Sequence, residues 1–229
     1  MSKKGLVSII LPALNEAEAI GKVIDEIPRK VLEQEGYQVE VVVIDNGSTD
    51  DTTKIALKKG ASVITEYRRG KGRAMRTAFE QVDADFIFMI DADYTYPATY
   101  IPEMLELLNR GYPVVTGSRL KGKMEKGAMS NWNLVGNRLL SLLARVLYRV
   151  SISDVCTGYW GFRGRVIPRL KLTATRFTLE AELLSQVAKL GYPIGEIPID
   201  YRCSPTSSKL NPVGDGMKIA LKLITARIG

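Results

Sequence analysis

Continuous apolar runs alternate with amphipathic segments along the first half of the chain. Runs such as VEVVVID and DFIFMID are typical of parallel strands that are buried on both faces. Between the runs LVSIIL and VEVVVID, apolar residues recur at helical spacing from Ile20 to Ile27. The alternation predicts a doubly wound, mostly parallel α/β sheet with helices on both faces. The predicted strands are LVSIIL, VEVVVID, ASVITE, DFIFMID and YPVVTGSR.

Helices are predicted between these strands. One begins at about Glu16, and another covers residues 50–59, where Ser48 and Asp51 resemble a capping box. GKGRAMRTAFEQV predicts a loop that leads into a helix, and the helix after DFIFMID ends at about Arg110.

The pattern changes after Arg119. LKGKMEKGAMSN predicts a mobile loop, and residues 132–150 predict a helix with a basic stripe beside a broad apolar face. A second amphipathic helix is predicted at about residues 215–228. We expect a single domain, 1–229, made of a first half, 1–119, a second half, 120–212, and an amphipathic C-terminal helix within 213–229.

Composition narrows the range of partners and chemistries. The chain has 32 Lys and Arg against 25 Asp and Glu, a net charge of +7, which favours an anionic partner but is equally compatible with simple solubility. There is no histidine, so Ser-His and Cys-His catalysis and a histidine base are excluded. The chain lacks an aromatic–basic platform and a helix-turn-helix pattern, so nucleic acid is not an expected partner.

The hydropathy of the chain indicates where in the cell we expect the protein. The N-terminal MSKKGLVSIILPALNE is too weakly apolar for a signal peptide, and no uncharged apolar run approaches the roughly 18 residues of a spanning helix. We expect a cytoplasmic protein that lies peripherally on the cytosolic face of a membrane through its amphipathic helices. Packing of those helices on the sheet or in a homo-oligomer is an alternative.

The motif DAD places two carboxylates, Asp91 and Asp93, at the end of a buried strand. Two charges about 4 Å apart repel by roughly 4 kcal/mol at an effective dielectric near 20. Mg²⁺ or Mn²⁺ would offset this repulsion, because hard cations prefer oxygen ligands. Two solvated loop aspartates are the alternative for so short a motif.

Other polar residues follow predicted strands in the same way. Asn15, Glu16, Asp45 and Arg119 lie at or just past strand ends, where doubly wound sheets bind ligands. Asp45 could accept hydrogen bonds from a base or ribose, or cap the next helix. Glu16 could do the same, or only interact with the dipole of its own helix.

The segments PALNE, DNGSTDDT, KGRAMRTAF, DAD and TGSR, in this order and spacing, resemble family 2 glycosyltransferases. They are similar in particular to the polyprenyl-phosphate sugar synthases, such as the dolichol-phosphate mannose, glucose and N-acetylhexosamine synthases. The resemblance covers about residues 5 to 212. It implies a GT-A-type fold with a C-terminal acceptor-side extension, a nucleotide-diphosphate sugar donor and a metal-dependent inverting transfer. The half 1–119 would bind the donor, and 120–212 would bind the acceptor.

The resemblance also implies roles for single residues. Asp93 would bind the metal, with Asp91 as a second ligand, and Arg119 would contact phosphate. Lys71 and the arginines near it in the sequence could bind the diphosphate. Alternatively, Arg73 and Arg76 belong only to the solvated face of their helix. The remaining donor contacts implied by position are Pro12, Leu14, Glu16, Asp45, Asp91 and Ala92. Three departures from the family pattern, Leu14, Asn46 and Thr95, argue against a mannose donor.

The residues that we expect to bind the acceptor lie in the second half of the chain. Asp154, in SDVCTGYWGFRG, could pair with an arginine, and we expect the aromatic residues beside it to pack in the core. Arg202, Ser208 and Lys209 resemble the family's acceptor loop, and their groups suit a phosphate monoester. We therefore expect a dolichyl or other polyprenyl phosphate acceptor.

One rival hypothesis keeps the donor and changes the acceptor. It is a family 2 enzyme that acts on a saccharide or small hydroxyl compound, with Glu180 or Glu182 as the base. A lipid phosphate is already an anion and needs no such base, so the two hypotheses differ in what these glutamates do.

Overall fold

The computed structural model describes residues 4–206 and 212–228. Within those ranges, seven strands form one sheet that is flanked by helices. The elements in chain order are β1 (Gly5–Ala13), α1 (Ile20–Glu26), α2 (Arg29–Gln34), β2 (Tyr37–Asp45), α3 (Thr52–Lys58), β3 (Ser62–Thr65), α4 (Lys71–Gln81), β4 (Phe86–Met89), α5 (Ile101–Asn109), β5 (Val114–Ser118), α6 (Asn131–Tyr148), β6 (Trp160–Arg163), α7 (Leu179–Lys189), β7 (Ile194–Pro198) and α8 (Pro212–Ile228). Short 3-10 helices cover Ala98–Tyr100 and Gly164–Arg169.

The strand order is β3-β2-β1-β4-β6-β5-β7. All neighbouring pairs are parallel except those of β6, which runs antiparallel to both β4 and β5. The five predicted strands are present, and the expectation of a mostly parallel sheet with helices on both faces is confirmed. Because β6 is reversed, its first residues lie at the same edge of the sheet as the last residues of β4 and β5.

Hydrophobic cores form on both faces of the sheet. Helices α1, α2, α3 and α5 cover one face, and α4, α6, α7 and α8 contribute to the core on the other. Tyr159, Trp160 and Phe162 are fully buried, as expected for aromatic side chains that pack in the core. The rings of Trp160 and Phe162 stack with their centroids 5.9 Å apart. These aromatic residues anchor β6 at the centre of the sheet.

Two local predictions are wrong. Helix α1 begins at Ile20 rather than near Glu16, because residues 17–19 form a turn in which the N–H groups of Ala19 and Ile20 both donate to the carbonyl oxygen of Glu16. The capping box at α3 is absent: the Ser48 hydroxyl accepts the N–H of Asn15, and Asp51 makes no side-chain cap.

The later segments follow the predicted pattern. Helix α6 begins after the N-cap Ser130, which accepts the N–H of Asn133, and ends at Arg149 in the left-handed conformation. The loop between β5 and α6 is tied to the segment after β7 by backbone hydrogen bonds between Lys123, Glu125 and Tyr201. Across residues 4–206 and 212–228, none of the helices combines the length and apolarity needed to cross a membrane.

Candidate active site

The carboxyl ends of β1, β2, β4 and β5 open into one cleft with a volume of about 860 Å³. This is the edge at which doubly wound sheets bind ligands. The cleft therefore gathers most of the predicted donor residues, although they are far apart in sequence. Those that line it are Pro12, Leu14, Glu16, Lys71, Asp91, Ala92, Asp93 and Arg119.

Lys71, at the start of α4, lies between two carboxylates. Its Nζ is 2.5 Å from Asp91 Oδ1 and 2.6 Å from Glu180 Oε1. Burial alone would lower the pKa of Lys71, but the charges of Asp91 and Glu180 outweigh it and hold the pKa above its ordinary value. Burial also raises the pKa of Glu180, against the opposing effect of Lys71. The floor of the cleft thus carries a fixed cation and an excess of negative charge.

Asp93 is a further acidic residue that lines the cleft. Burial, followed by the charge of Asp91, raises the pKa of Asp93 to about 6. The Thr95 hydroxyl donates a 2.6 Å hydrogen bond to Asp93 Oδ1. At neutral pH Asp93 is therefore ionised beside Asp91, whose charge disfavours that ionisation.

Gly158 allows the loop before β6 to approach these aspartates. A Cβ at this position would lie 2.2 Å from Asp91 Oδ2, a separation that side chains do not adopt. The N–H of Gly158 donates to the hydroxyl of Tyr96, which lines the cleft. Glycine is required here for close packing.

Arg119 and Asp154 form a buried ion pair. Arg119 Nε and Nη2 donate to the two carboxylate oxygens of Asp154 at 2.7 and 2.8 Å. The Arg119 guanidinium also lies over the rings of Tyr96 and Tyr201. Burial opposes the charge of Arg119, but Asp154 keeps its pKa well above the ordinary value. The predicted pairing of Asp154 with an arginine is confirmed, and it fixes Arg119 at the cleft wall.

A profile of the glycosyl transferase family 2 matches residues 8–170. The chain belongs to glycosyltransferase family 2. The enzyme is 36% identical over 220 residues to glycosyltransferase AglJ of Haloferax volcanii, an alignment that covers 95% of this chain and 70% of that one. It is also 36% identical over 220 residues to a dolichyl-phosphate hexose transferase of the same organism, covering 95% of this chain and 92% of the relative.

Solved structures resemble the glycosyltransferase in fold. A glucosyl-3-phosphoglycerate synthase from Mycobacterium tuberculosis, crystallised with Mn²⁺, UDP and glucosyl-3-phosphoglycerate, superimposes with a TM-score of 0.78 at 24% identity. The match covers 97% of this chain and 80% of that chain. The expected GT-A-like fold is thereby confirmed.

The carboxylate pair of the glycosyltransferase fits a divalent cation. Asp91 and Asp93 offer hard oxygen ligands in a buried site where their own charges repel. Within the described parts of the chain, no group of three or more His, Cys, Asp or Glu residues could hold a metal. A cation here would thus take its other ligands from a bound molecule or from water.

Asp45 lies at the end of β2 but does not line the cleft of the enzyme. Its buried carboxylate accepts the N–H of Ser48 at 3.1 Å, so it shapes the turn after β2. Asn46, the next residue, does line the cleft, and its side-chain amide donates to the backbone oxygens of Glu66 and Arg68. The base or ribose contact of Asp45 stays a prediction.

Arg202 is not brought into the cleft either. Its guanidinium donates to both carboxylate oxygens of Glu26, at 2.6 and 3.1 Å, and lies 4.7 Å from the ring centre of Tyr94. Arg202 is thus paired with Glu26 outside the cleft, and its contact with an acceptor phosphate stays a prediction. The other two predicted acceptor residues, Ser208 and Lys209, lie outside the described residues.

The two glutamates of α7 have different surroundings. Glu180 lines the cleft, whereas Glu182 accepts hydrogen bonds from Lys222 and from the backbone N–H groups of Thr173 and Ala174. Glu182 therefore ties α7 to α8 and to the preceding loop. Of the pair, only Glu180 is placed to act on a substrate.

The sequence did not predict the apolar flank of the cleft. This flank is formed where α6 and α8 approach each other beside the loop before α7. Its members could not be recognised beforehand, because an apolar helix residue in the cleft has the same pattern as one in the core. They are Met129, Trp132, Gly136, Leu140, Phe177, Gly216 and Ile219.

Proposed function

We propose that this glycosyltransferase moves a hexose or N-acetylhexosamine from a UDP- or GDP-sugar to a dolichyl or other polyprenyl phosphate, with inversion at the anomeric carbon. The observation that carries the proposal is the composition of the cleft: charged groups at the strand ends adjoin a long apolar flank. A sugar donor suits the first part, and a lipid suits the second. The similarity to a dolichyl-phosphate hexose transferase supports the same acceptor.

The donor would lie across the carboxyl ends of the strands. Pro12, near the end of β1, and Leu14 and Glu16, which follow that strand, would contact the base and ribose, as the family resemblance implies. Lys71 and Arg119 are the cations that face the diphosphate in this arrangement. Asp154 binds the Nε and Nη2 of Arg119, and Tyr201 interacts with the same side chain, so these two partners hold the guanidinium at the cleft wall.

Asp91 and Asp93 are the residues that would hold Mn²⁺ or Mg²⁺. When bound, such a cation neutralises the charge that develops on the departing nucleoside diphosphate. Thr95 holds the Asp93 carboxylate in place, and Lys71 does the same for Asp91. Glu180, through Lys71, would fix the position of this network.

The acceptor phosphate would attack the anomeric carbon as the bond to the nucleoside diphosphate breaks. A phosphate monoester is already an anion, so the attack needs no general base. Arg69 and Arg176 line the cleft and add positive charge for an anionic acceptor. Ser208 and Lys209 keep the acceptor role that the sequence predicts.

A long-chain acceptor requires access to a membrane. Helix α6 exposes Trp132, Leu139 and Val146, and α8 exposes Leu221 and Ile228. Trp132 is 85% exposed and Ile228 is 83% exposed, which favours contact with the headgroup region of a bilayer. The enzyme would then lie on the membrane surface with its cleft opening toward the lipid.

Transfer of label tests this function directly. The purified enzyme is incubated with Mn²⁺ or Mg²⁺, radiolabelled nucleotide sugars and vesicles that contain dolichyl phosphate. We expect one label to become extractable into organic solvent, and we expect excess chelator or Asp93→Asn to abolish this transfer. Asp51→Asn, the same change at an exposed aspartate outside the cleft, should retain it.

Transfer to a saccharide or small hydroxyl compound, with no lipid-extractable label for any donor, would contradict the proposal. Full activity in excess chelator would show that the transfer does not depend on a metal. The rival with a hydroxyl acceptor would gain support if Glu180→Gln reduced transfer by about 100-fold or more, the range of general base catalysis.

A further inference from the structure

The apolar flank of the cleft is a groove between two helices. Leu140 of α6 and Ile219 of α8 stand on its two sides, and Phe177 joins them from the loop before α7. The groove is continuous with the charged floor, since Glu180 and Ala181 line the same cleft. Trp132, in the first turn of α6, stands at its exposed rim.

Two glycines keep this groove open. Gly136 lies in α6 and Gly216 in α8, and both line the cleft. A Cβ built at either position meets no atom of the described residues within 4 Å. Neither glycine has a positive φ, so backbone conformation does not require them. Their helices would be more stable with almost any other residue, by up to about 1 kcal/mol each. The empty volume beside them is therefore what distinguishes these positions.

We infer that this groove binds the first isoprene units of the acceptor, with Gly136 and Gly216 leaving the width that a methyl-branched chain needs. The inference rests on the proposed function. The groove begins at the charged floor, where a phosphate would react, and apolar side chains predominate on its walls, with Asn133 and Asn137 of α6 as polar members. An occupant with an anionic head and an apolar tail matches both ends. The same two helices also expose apolar residues such as Leu139 and Leu221, which would face a membrane that supplies the acceptor.

Leucine substitutions test the inference, because a larger side chain would occupy the groove without striking the protein. The variants are Gly136→Leu and Gly216→Leu, with Gly136→Ala as a graded step. Lys54→Leu adds the same side chain to an exposed position of α3, outside the cleft, and serves as the matched control. Circular dichroism and nucleotide affinity establish that each variant is folded.

The measurement is kcat/KM for three acceptors: isopentenyl phosphate, farnesyl phosphate and dolichyl phosphate. Each buried methylene contributes roughly a fourfold factor in affinity. We expect the wild-type enzyme to prefer farnesyl over isopentenyl phosphate. Each leucine variant should reduce that preference roughly 10- to 100-fold, and Gly136→Ala should reduce it less. Lys54→Leu should leave it unchanged.

The outcomes separate the inference from the function on which it rests. If the wild-type enzyme uses prenyl phosphates and the leucine variants keep the full preference for farnesyl phosphate, the groove does not bind the chain. If the wild-type enzyme uses none of the three acceptors but glycosylates a small phosphorylated hydroxy acid, the proposed function fails and the inference fails with it.

Discussion

Asp93 provides a prediction that links the site to stability. Its pKa is raised from 3.8 to about 6 by burial and by the charge of Asp91, so its ionised form destabilises the folded protein at neutral pH. Asp93→Asn removes that charge and retains an oxygen that can accept the hydrogen bond from Thr95. We therefore expect this variant to be inactive in transfer and, without metal, more stable than the wild-type protein.

The size of the effect follows from the pKa. A shift of about two units corresponds to about 3 kcal/mol, which is an upper bound on the gain. That net shift already includes the hydrogen bonds from Thr95, which favour the ionised form. Because the cleft is open to water, solvent screening reduces the gain, and we expect about 1–2 kcal/mol at pH 7.5. For a chain of this size, that corresponds to a rise of about 2–8 °C in Tm.

The gain depends on pH in a direction that can be specified. Because the folded-state pKa of Asp93 is the higher one, the folded protein binds the proton more tightly than the unfolded chain does. The stability from that proton is fully present below about pH 4 and is lost as the pH rises through about 6. Asn does not titrate, so the advantage of the variant should grow between pH 4 and 6 and then level off.

Urea unfolding in the presence of chelator, followed by circular dichroism at pH 4.5 and pH 7.5, measures both quantities. Asp51→Asn controls for the loss of one negative charge, because Asp51 is exposed and paired only loosely with Lys54. A variant less stable than the wild-type protein at pH 7.5, or a gain of the same size at both pH values, would refute the assignment of Asp93 as a destabilising carboxylate.

Three further predictions concern charged groups around the cleft. Asp154→Asn should lower the free energy of unfolding by about 3–5 kcal/mol, because it leaves Arg119 buried without its partner; a change below 1 kcal/mol in urea unfolding would contradict this. Glu182→Gln should lower the free energy of unfolding by about 1–3 kcal/mol and leave nucleotide affinity unchanged, since this carboxylate ties helices together. Glu180→Gln should reduce kcat/KM for transfer by about 10-fold, measured with saturating metal, because Lys71 loses one of its two partners; an unchanged kcat/KM would exclude a role for Glu180 in positioning.

Much of the fold could be predicted because its signals are local. Strand β2 contains the apolar run 41–44 and ends at Asp45, β4 is wholly apolar and ends two residues before Asp91, and the helices between them have regular apolar spacing. The reversal of β6 could not be predicted, because a four-residue segment such as WGFR carries no mark of strand direction. Direction is decided by pairing with β4 and β5, which are distant in sequence.

Some residues of the site could likewise be predicted from the sequence, and others could not. Asp91 and Asp93 could be identified because the geometry of a doubly wound sheet places strand ends at one edge. The position of Arg202 could not, since it depends on Glu26, which lies 176 residues away. The groove beside Gly136 and Gly216 depends on how two helices pack, and glycine in a helix has no single meaning in a sequence.

The reversed strand has a consequence for synthesis. In the finished sheet, β6 pairs with β4, yet about 70 residues separate them in the chain. At typical ribosomal rates of about 5–20 residues per second, the apolar FIFM strand waits several seconds for that neighbour. Until Trp160 and the residues after it emerge, one side of β4 presents unpaired backbone groups that another nascent chain could bind. A chaperone that acts on this enzyme would be needed most within that interval.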